Sequence, residues 1–299
     1  MKKSVSMLLA ALMLTGALAG CGSSASTSDT QAEDGADSGV SGAITVISRE
    51  DGSGTRGAFI ELTGVEEKTA DGKKVDNTTA DAEIANKTDV VLTSVAGNEK
   101  AIGYISLGAL NDTVKAVKVD GAEATVDNVK AGAYKLSRPF NIATKGEPTS
   151  VAKDFINFIL SKEGQAVVTD NKYIAVNDAA GSFVSDGSSG QIAVGGSSSV
   201  SPVMEKLIEA YKSVNPNASI DLQTSDSTSG MTGAMDGTFA IGMASRELKD
   251  EEAAQLTGTA IALDGIAVIV NPANTIDELS MDQIKSIYVG DITDWGDLA

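Results

Sequence analysis

Arg49-Glu-Asp-Gly-Ser-Gly-Thr55 leaves an apolar run, Ala43 to Ile47, and leads into Arg56-Gly-Ala-Phe-Ile-Glu-Leu62. A strand, a glycine-rich turn and a helix start follow one another, so free backbone N–H groups, hydroxyls and a guanidinium converge where an anion can sit. Two more segments repeat the design. Gly195-Gly-Ser-Ser-Ser-Val-Ser-Pro202 follows the strand pattern Gln191 to Val194, and Ser225-Asp-Ser-Thr-Ser-Gly230 follows Ile220 to Gln223; each opens a helical pattern. Small residues let the backbone approach a ligand, and hydroxyls donate to oxygens that accept several bonds each. Arg49, at a strand end, can pair bidentately with two oxygens of a tetrahedral anion. Helix capping alone also explains Ser and Thr at such places. One turn does not choose between the two readings, whereas three together favour an oxyanion receptor.

The rest of the composition narrows the field. With 299 residues, 42% apolar and 21% charged, the chain can bury two ordinary cores, so two domains are expected. A net charge of −18 makes nucleic acid and anionic lipid surfaces poor partners. It also opposes long-range steering of an anion, so a site must work through short charge-assisted hydrogen bonds, worth roughly 1.5 to 3 kcal/mol each. There is no histidine and a single cysteine, Cys21, which excludes disulfides within the chain, the usual zinc sites and His-based triads. Gly52-Ser53-Gly54 therefore has no imidazole to activate its serine and no adjacent lysine, and no enzyme activity, metal or cofactor is expected. Trp295 and Tyr104, in a chain with 4% aromatics, read as packing residues and not as a sugar-stacking platform.

Met1-Lys-Lys followed by an apolar run to Ala17 has the parts of a secretory leader, too short to span a membrane comfortably. Residues 22–41 have almost no large apolar side chain and read as a flexible tether. From Gly42 strand and helix patterns alternate, with a polar, Lys-rich loop at 66–78 and a helix from Ser150, which is placed to cap it. Residues 179–190, Ala-Ala-Gly-Ser-Phe-Val-Ser-Asp-Gly-Ser-Ser-Gly, have linker composition, and the alternation then restarts. Such alternation indicates an α/β fold with mostly parallel sheets covered by helices.

Five segments carry a family resemblance: Ser48-Arg-Glu-Asp-Gly-Ser-Gly-Thr-Arg56, Ala101-Ile-Gly-Tyr-Ile-Ser-Leu-Gly108, Gly196-Ser-Ser-Ser-Val-Ser-Pro-Val203, Ile241-Gly-Met-Ala-Ser-Arg-Glu-Leu248 and Ala262-Leu-Asp-Gly-Ile-Ala-Val-Ile-Val-Asn-Pro272. Together they closely resemble the phosphate-binding (PstS-like) proteins of bacterial phosphate ABC importers, over about residues 42–178 and 191–299. Leu18-Ala-Gly-Cys21 resembles the bacterial lipobox, which implies cleavage before Cys21 and a diacylglycerol on its sulfur. The resemblance implies a two-lobed periplasmic-binding-protein (Venus-flytrap) fold, closing on inorganic phosphate by a hinge and delivering it to ABC permease subunits. It further implies an extracytoplasmic monomer, lipid-anchored to the cell membrane through Cys21.

The order of the segments departs from the family's, in which the stretch resembling 191–299 comes first. The chain thus looks circularly permuted, with residues 179–190 joining the old termini. Exposed loops tolerate new ends where the original termini lie close. If so, Gly42 and Ala299 are expected within roughly 15 Å, a span that about four extended residues once bridged. The expected division is a leader at 1–20, a tether at 21–41, one lobe from 42–138 plus 264–299, and a contiguous lobe from 139–263 that contains the linker. The crossings fall near Ser137 to Asn141 and Ala262 to Ile266.

By resemblance, phosphate contacts Ser198 and Ser199 in one turn, Ser227 and Thr228 in another, and Arg49, Ser53, Gly54 and Thr55 in the third. Asp51 is expected to hold the Arg49 guanidinium. Arg246 stands where many family members carry an aspartate that accepts the proton of hydrogen phosphate, so here it is expected to supply a second cation. Asp226, Asp51 and Asp264 are the candidates to replace that acceptor. A receptor for sulfate or molybdate, and a secreted phosphatase or phosphate sensor, are the competing readings.

Overall fold

A computed structural model of the chain describes residues 40–298. The leader at 1–20, Cys21, all but the last two residues of the tether, and Ala299 lie outside the described residues.

The first elements are β1 (Thr45–Arg49), α1 (Gly54–Thr63), the short hairpin β2 (Glu66–Lys68) and β3 (Lys74–Asp76), β4 (Glu83–Ala85), α2 (Thr88–Ala96) and β5 (Ala101–Ser106). Then come β6 (Lys115–Ala116), β7 (Lys118–Val119), α3 (Val126–Lys130), β8 (Ser137–Thr144), α4 (Ser150–Ile159) and α5 (Lys162–Asp170). The chain continues through β9 (Gly190–Ser197), α6 (Ser201–Val214), β10 (Ala218–Ser225), α7 (Ser227–Asp236), β11 (Ile241–Ala244), α8 (Asp250–Ala253), β12 (Thr257–Val270), β13 (Glu278–Leu279) and α9 (Met281–Val289). Local chemistry sets the boundaries. Ser53 caps α1 by accepting from the Arg56 N–H, and Gly64 ends it at φ 74°. A reciprocal Ser280 and Gln283 capping box starts α9, which Gly290 ends at φ 88°. The cap of α4 is Thr149 and not Ser150, which is already its first helical residue. Within residues 66–78, expected as a loop, β2 and β3 pair antiparallel, and Lys74 bridges Glu66 at 2.8 Å and Glu61 at 3.5 Å.

One sheet of nine strands runs in the order β10-β9-β11-β8-β12-β5-β1-β4, with β6 added on β12. β9 lies parallel to β10 and β11, and β1 parallel to β4 and β5. Between these halves β8 and β12 run antiparallel, from Thr144 opposite Thr257 to Ser137 opposite Gly265. The 14 residues of β12 are long enough to pair with β8 first and then with β5 from Ile266 to Val270. Two large cores flank the crossing. One packs Phe59, Tyr104, Ile266, Tyr288 and Trp295; the other packs Phe140, Phe155, Phe158, Leu207, Tyr211 and Ile261. Tyr104 stacks on Phe59 with ring centroids 3.9 Å apart, and Trp295 donates to the Lys100 carbonyl, so both aromatics are core residues.

Near the ends of the described chain, the Gly42 N–H donates to Asp294 Oδ1 at 2.9 Å and the Trp295 N–H donates to the Gly42 carbonyl at 3.1 Å. Residues 179–190 are more firmly held than their composition suggests. Buried Asp154 on α4 accepts from the Ser185 hydroxyl, the Asp186 N–H, the Tyr211 hydroxyl and Asn215 Nδ2. Phe183 packs on Phe158 and Tyr211, and the Lys162 N–H donates to the Gly181 carbonyl.

Candidate functional site

β9, β10 and β11 run one way and β1, β4 and β5 the other, so the carboxyl ends of the two groups face each other at the crossing of β8 and β12, and open α/β sheets place their ligands at such strand ends. Helix N-termini follow four of these strands: Thr55 in α1, Thr88 at the head of α2, Ser198 and Ser199 just before α6, and Ser227 at the head of α7. Their unpaired N–H groups and dipoles favour negative charge.

Hydroxyls from distant parts of the chain meet here. Thr55 Oγ1 lies 2.8 Å from Ser199 Oγ and 3.4 Å from Ser245 Oγ. Thr88 Oγ1 lies 3.3 Å from both Ser198 Oγ and Ser199 Oγ, and Ser197 Oγ donates to Ser245 Oγ at 3.0 Å. The Ser245 N–H donates to Ser227 Oγ at 3.1 Å. All these side chains are buried. A Cβ on Gly54 would collide with the hydroxyls of Ser227 and Ser245, so only glycine lets the head of α1 approach them. Gly196 makes a comparable allowance with φ +136°, where a Cβ would strike the Met243 carbonyl.

Buried Arg49 reaches the cluster with one edge. Its Nη2 donates to Ser198 Oγ at 3.1 Å and its Nη1 to Thr88 Oγ1 at 3.5 Å, while the Nε/Nη2 edge is held by Glu50 at 2.9 and 2.8 Å. Glu50, not Asp51, therefore orients the guanidinium. The turn closed by the Ser53 N–H on the Glu50 carbonyl swings Asp51 to the surface, where it pairs with Arg56.

A second buried guanidinium, missed in the sequence, lies behind the hydroxyls. Arg138 at the start of β8 stands directly opposite Asp264 on β12 and pairs with it at 2.6 Å. Its Nη2 donates to Thr55 Oγ1 at 3.1 Å and its Nε to the Ser245 carbonyl at 3.2 Å. Asp264 also accepts from the Ser106 hydroxyl at 2.7 Å and the Gly108 N–H at 3.3 Å. Burial pushes the Asp264 carboxyl up, and these donors pull against it.

Of the residues singled out in the sequence, Arg49, Thr55, Ser198 and Ser199 are joined directly, and Gly54 and Ser227 abut them. Ser53, Thr228 and Arg246 face elsewhere. Ser53 caps α1, and Thr228 donates through its N–H and its hydroxyl to the Gly52 carbonyl at 3.1 and 3.2 Å. The Arg246 guanidinium forks onto buried Glu252 at 2.7 and 2.8 Å and touches the site's edge only through Thr228 Oγ1 at 3.4 Å. Burial pushes Glu252 up, but Arg246 and the Lys249 N–H outweigh it and hold it below the usual carboxylate range. Among the described residues no carboxylate bonds any of the clustered hydroxyls of Thr55, Thr88, Ser197, Ser198, Ser199, Ser227 or Ser245. Thr88, Ser245 and Arg138 joined the site without being foreseen. Lys87-Thr88 lacks the glycine-rich turn that marked the others.

A profile of the PBP superfamily domain matches residues 24–163 and 182–299. The chain is 50% identical to phosphate-binding protein PstS 2 of Streptococcus agalactiae serotype V, over 99% of this chain and 98% of that protein. The chain belongs to the PstS family of the PBP superfamily. A second PstS 2 relative, from Streptococcus pneumoniae serotype 4, is 48% identical over 99% of both chains. The crystal structure of a phosphate-binding protein of a phosphate ABC transporter from Streptococcus pneumoniae TIGR4 superposes with a TM-score of 0.69 at 50% identity, covering 86% of this chain and all of that one. These PstS relatives align end to end, so this chain's segment order is also theirs.

Proposed function

We propose that the protein is an extracytoplasmic receptor that captures inorganic phosphate between two lobes and delivers it to the permease of an ABC importer. One observation carries this reading: helix N-termini, hydroxyls and the Nη edge of Arg49 converge on one buried cluster. Lobe closure exchanges the anion's water for fixed N–H and O–H donors, so affinity depends on how well those donors are preorganised. The relatives' names support phosphate as the guest and an importer as the destination. The protein performs no chemistry in this reading; it acts as a monomer, anchored through lipid on Cys21.

Arg49, Gly54, Thr55, Ser198, Ser199 and Ser227 form the phosphate shell, joined by Thr88 and Ser245. Ser53, Thr228 and Arg246 support its walls. The lobes are 42–138 plus 264–299 and 139–263, and the chain is a circular permutant whose old termini are joined by 179–190. The bonds of Gly42 to Asp294 and Trp295 support a break opened at a place where chain ends meet. The lack, among the described residues, of a carboxylate bonded to the clustered hydroxyls favours a second reading, a receptor for a fully deprotonated oxyanion such as sulfate or molybdate. Titration calorimetry with phosphate, sulfate, molybdate and tungstate ranks the guests, and phosphate is expected to bind tightest.

A further inference from the structure

We infer that Arg138, held by Asp264, is a positioning residue of the anion site that acts through the hydroxyl of Thr55; the inference rests on the receptor reading above. A hydroxyl has one proton and two lone pairs. When Arg138 Nη2 donates to Thr55 Oγ1 at 3.1 Å, it occupies acceptor capacity there and leaves the Thr55 proton to be donated elsewhere. Ser199 Oγ, 2.8 Å away across the boundary between the two cores, is within reach of that proton. Arg138 thus fixes Thr55 as a donor toward the point where a guest's oxygens accept.

Three further observations make this more than a structural ion pair. Arg138 and Asp264 sit on the two strands that cross between the cores, in direct cross-strand register. Arg138 holds partners in both halves, the Thr55 hydroxyl on α1 and the Ser245 carbonyl after β11, while Asp264 reaches back to Ser106 and Gly108. The guanidinium therefore ties the Thr55 hydroxyl of one half to a backbone carbonyl of the other. Finally, the arrangement duplicates the one at Arg49, where Glu50 holds the guanidinium and one N–H is spent on the Ser198 hydroxyl. In each case a carboxylate pairs with the arginine, and what reaches the clustered hydroxyls is a directed, charge-assisted hydrogen bond. Such chains polarise one another cooperatively.

A double-mutant cycle on the full chain tests the inference, with inorganic phosphate as the probe in titration calorimetry. Replacing the pair together, Arg138→Met with Asp264→Leu, leaves no unpaired buried charge, a type of exchange that is often neutral for stability. Phosphate affinity is expected to fall about tenfold or more, the loss of one charge-assisted bond, when Thr55 is intact. In a Thr55→Val background the same exchange is expected to change affinity less than about twofold, because the hydroxyl it acts on is gone. Arg138→Lys serves as the second variant should the paired exchange fail to fold. It keeps the charge but not the planar fork, and is expected to lose most of the affinity at temperatures where its unfolding curve shows it folded. Equal losses with Thr55 intact and in the Thr55→Val background, or full affinity in Arg138→Lys, overturn the inference. Failure of the wild-type chain to bind phosphate overturns the receptor reading and the inference with it.

Discussion

Thr55 Oγ1 and Ser199 Oγ lie 2.8 Å apart although 144 positions separate them in sequence. Thr55 belongs to the helix after β1 and Ser199 to the turn after β9, strands in opposite halves of the sheet. Their meeting is what turns two separate strand-to-helix turns into one site.

The Arg49 fork is the site's main charged donor. Arg49→Lys keeps a cation but loses the planar edge that faces Ser198 and Thr88, so two directed bonds are forfeited. Phosphate affinity measured by calorimetry is expected to drop by about 100-fold or more, from roughly 1.5 to 3 kcal/mol per bond. Unchanged affinity would move the anion away from this edge.

Gly54→Ala tests the close approach of α1. Its methyl group has no room beside the Ser227 and Ser245 hydroxyls, so the helix must retreat from the cluster. Urea unfolding is expected to show a loss of about 1 to 3 kcal/mol, as for overpacked cores, with phosphate binding reduced further than stability alone explains. A variant as stable as the parent that binds phosphate equally well contradicts the geometry.

Much of this site was legible from turn chemistry alone. Ser, Thr and Gly between a strand and a helix announced the turns at Ser53, Ser198 and Ser227, because the residue types that free a helix N-terminus for a ligand are few. Arg138 and Ser245 were not legible, since their roles depend on which strands lie side by side at the crossing. Arg246 shows the same limit from the other direction. Its position in a motif pointed to the anion, but the sequence did not show that Glu252, one turn into the following segment, would claim its guanidinium. The 179–190 segment reads as a linker from its Ser and Gly content, but composition could not show that Asp154, far upstream, anchors it.

Arg246→Gln separates support from binding. Removing one member of the buried pair with Glu252 is expected to cost about 3 kcal/mol in denaturant unfolding, as for other broken buried pairs. Phosphate affinity under conditions where the variant is folded is expected to change by less than about fivefold, under the roughly 1.4 kcal/mol of a tenfold change. A 100-fold loss of affinity would restore Arg246 as a direct ligand.

The Asp154 anchor gives the segment 183–188 an acid sensitivity. Burial raises the Asp154 carboxyl, but the Tyr211, Asp186, Ser185 and Asn215 donors outweigh it and leave it below its ordinary value. A depressed carboxyl contributes stability that is fully present above the unfolded value and is lost as pH falls through the folded one. Amide exchange at Asp186 and Ser188, taken relative to the intrinsic rate at each pH, is therefore expected to stay slow from neutral pH down to the ordinary carboxylate range and to quicken below it. Asp154→Asn is expected to quicken it already at pH 7, and equal protection in both proteins at pH 7 contradicts the anchor.

Direct titration of the full chain with inorganic phosphate, followed by competition with sulfate, tests the central claim most directly. The account predicts one phosphate per chain, at a dissociation constant of about a micromolar or tighter, with sulfate the weaker of the two. No heat with phosphate, or sulfate binding the tighter of the two, would contradict it.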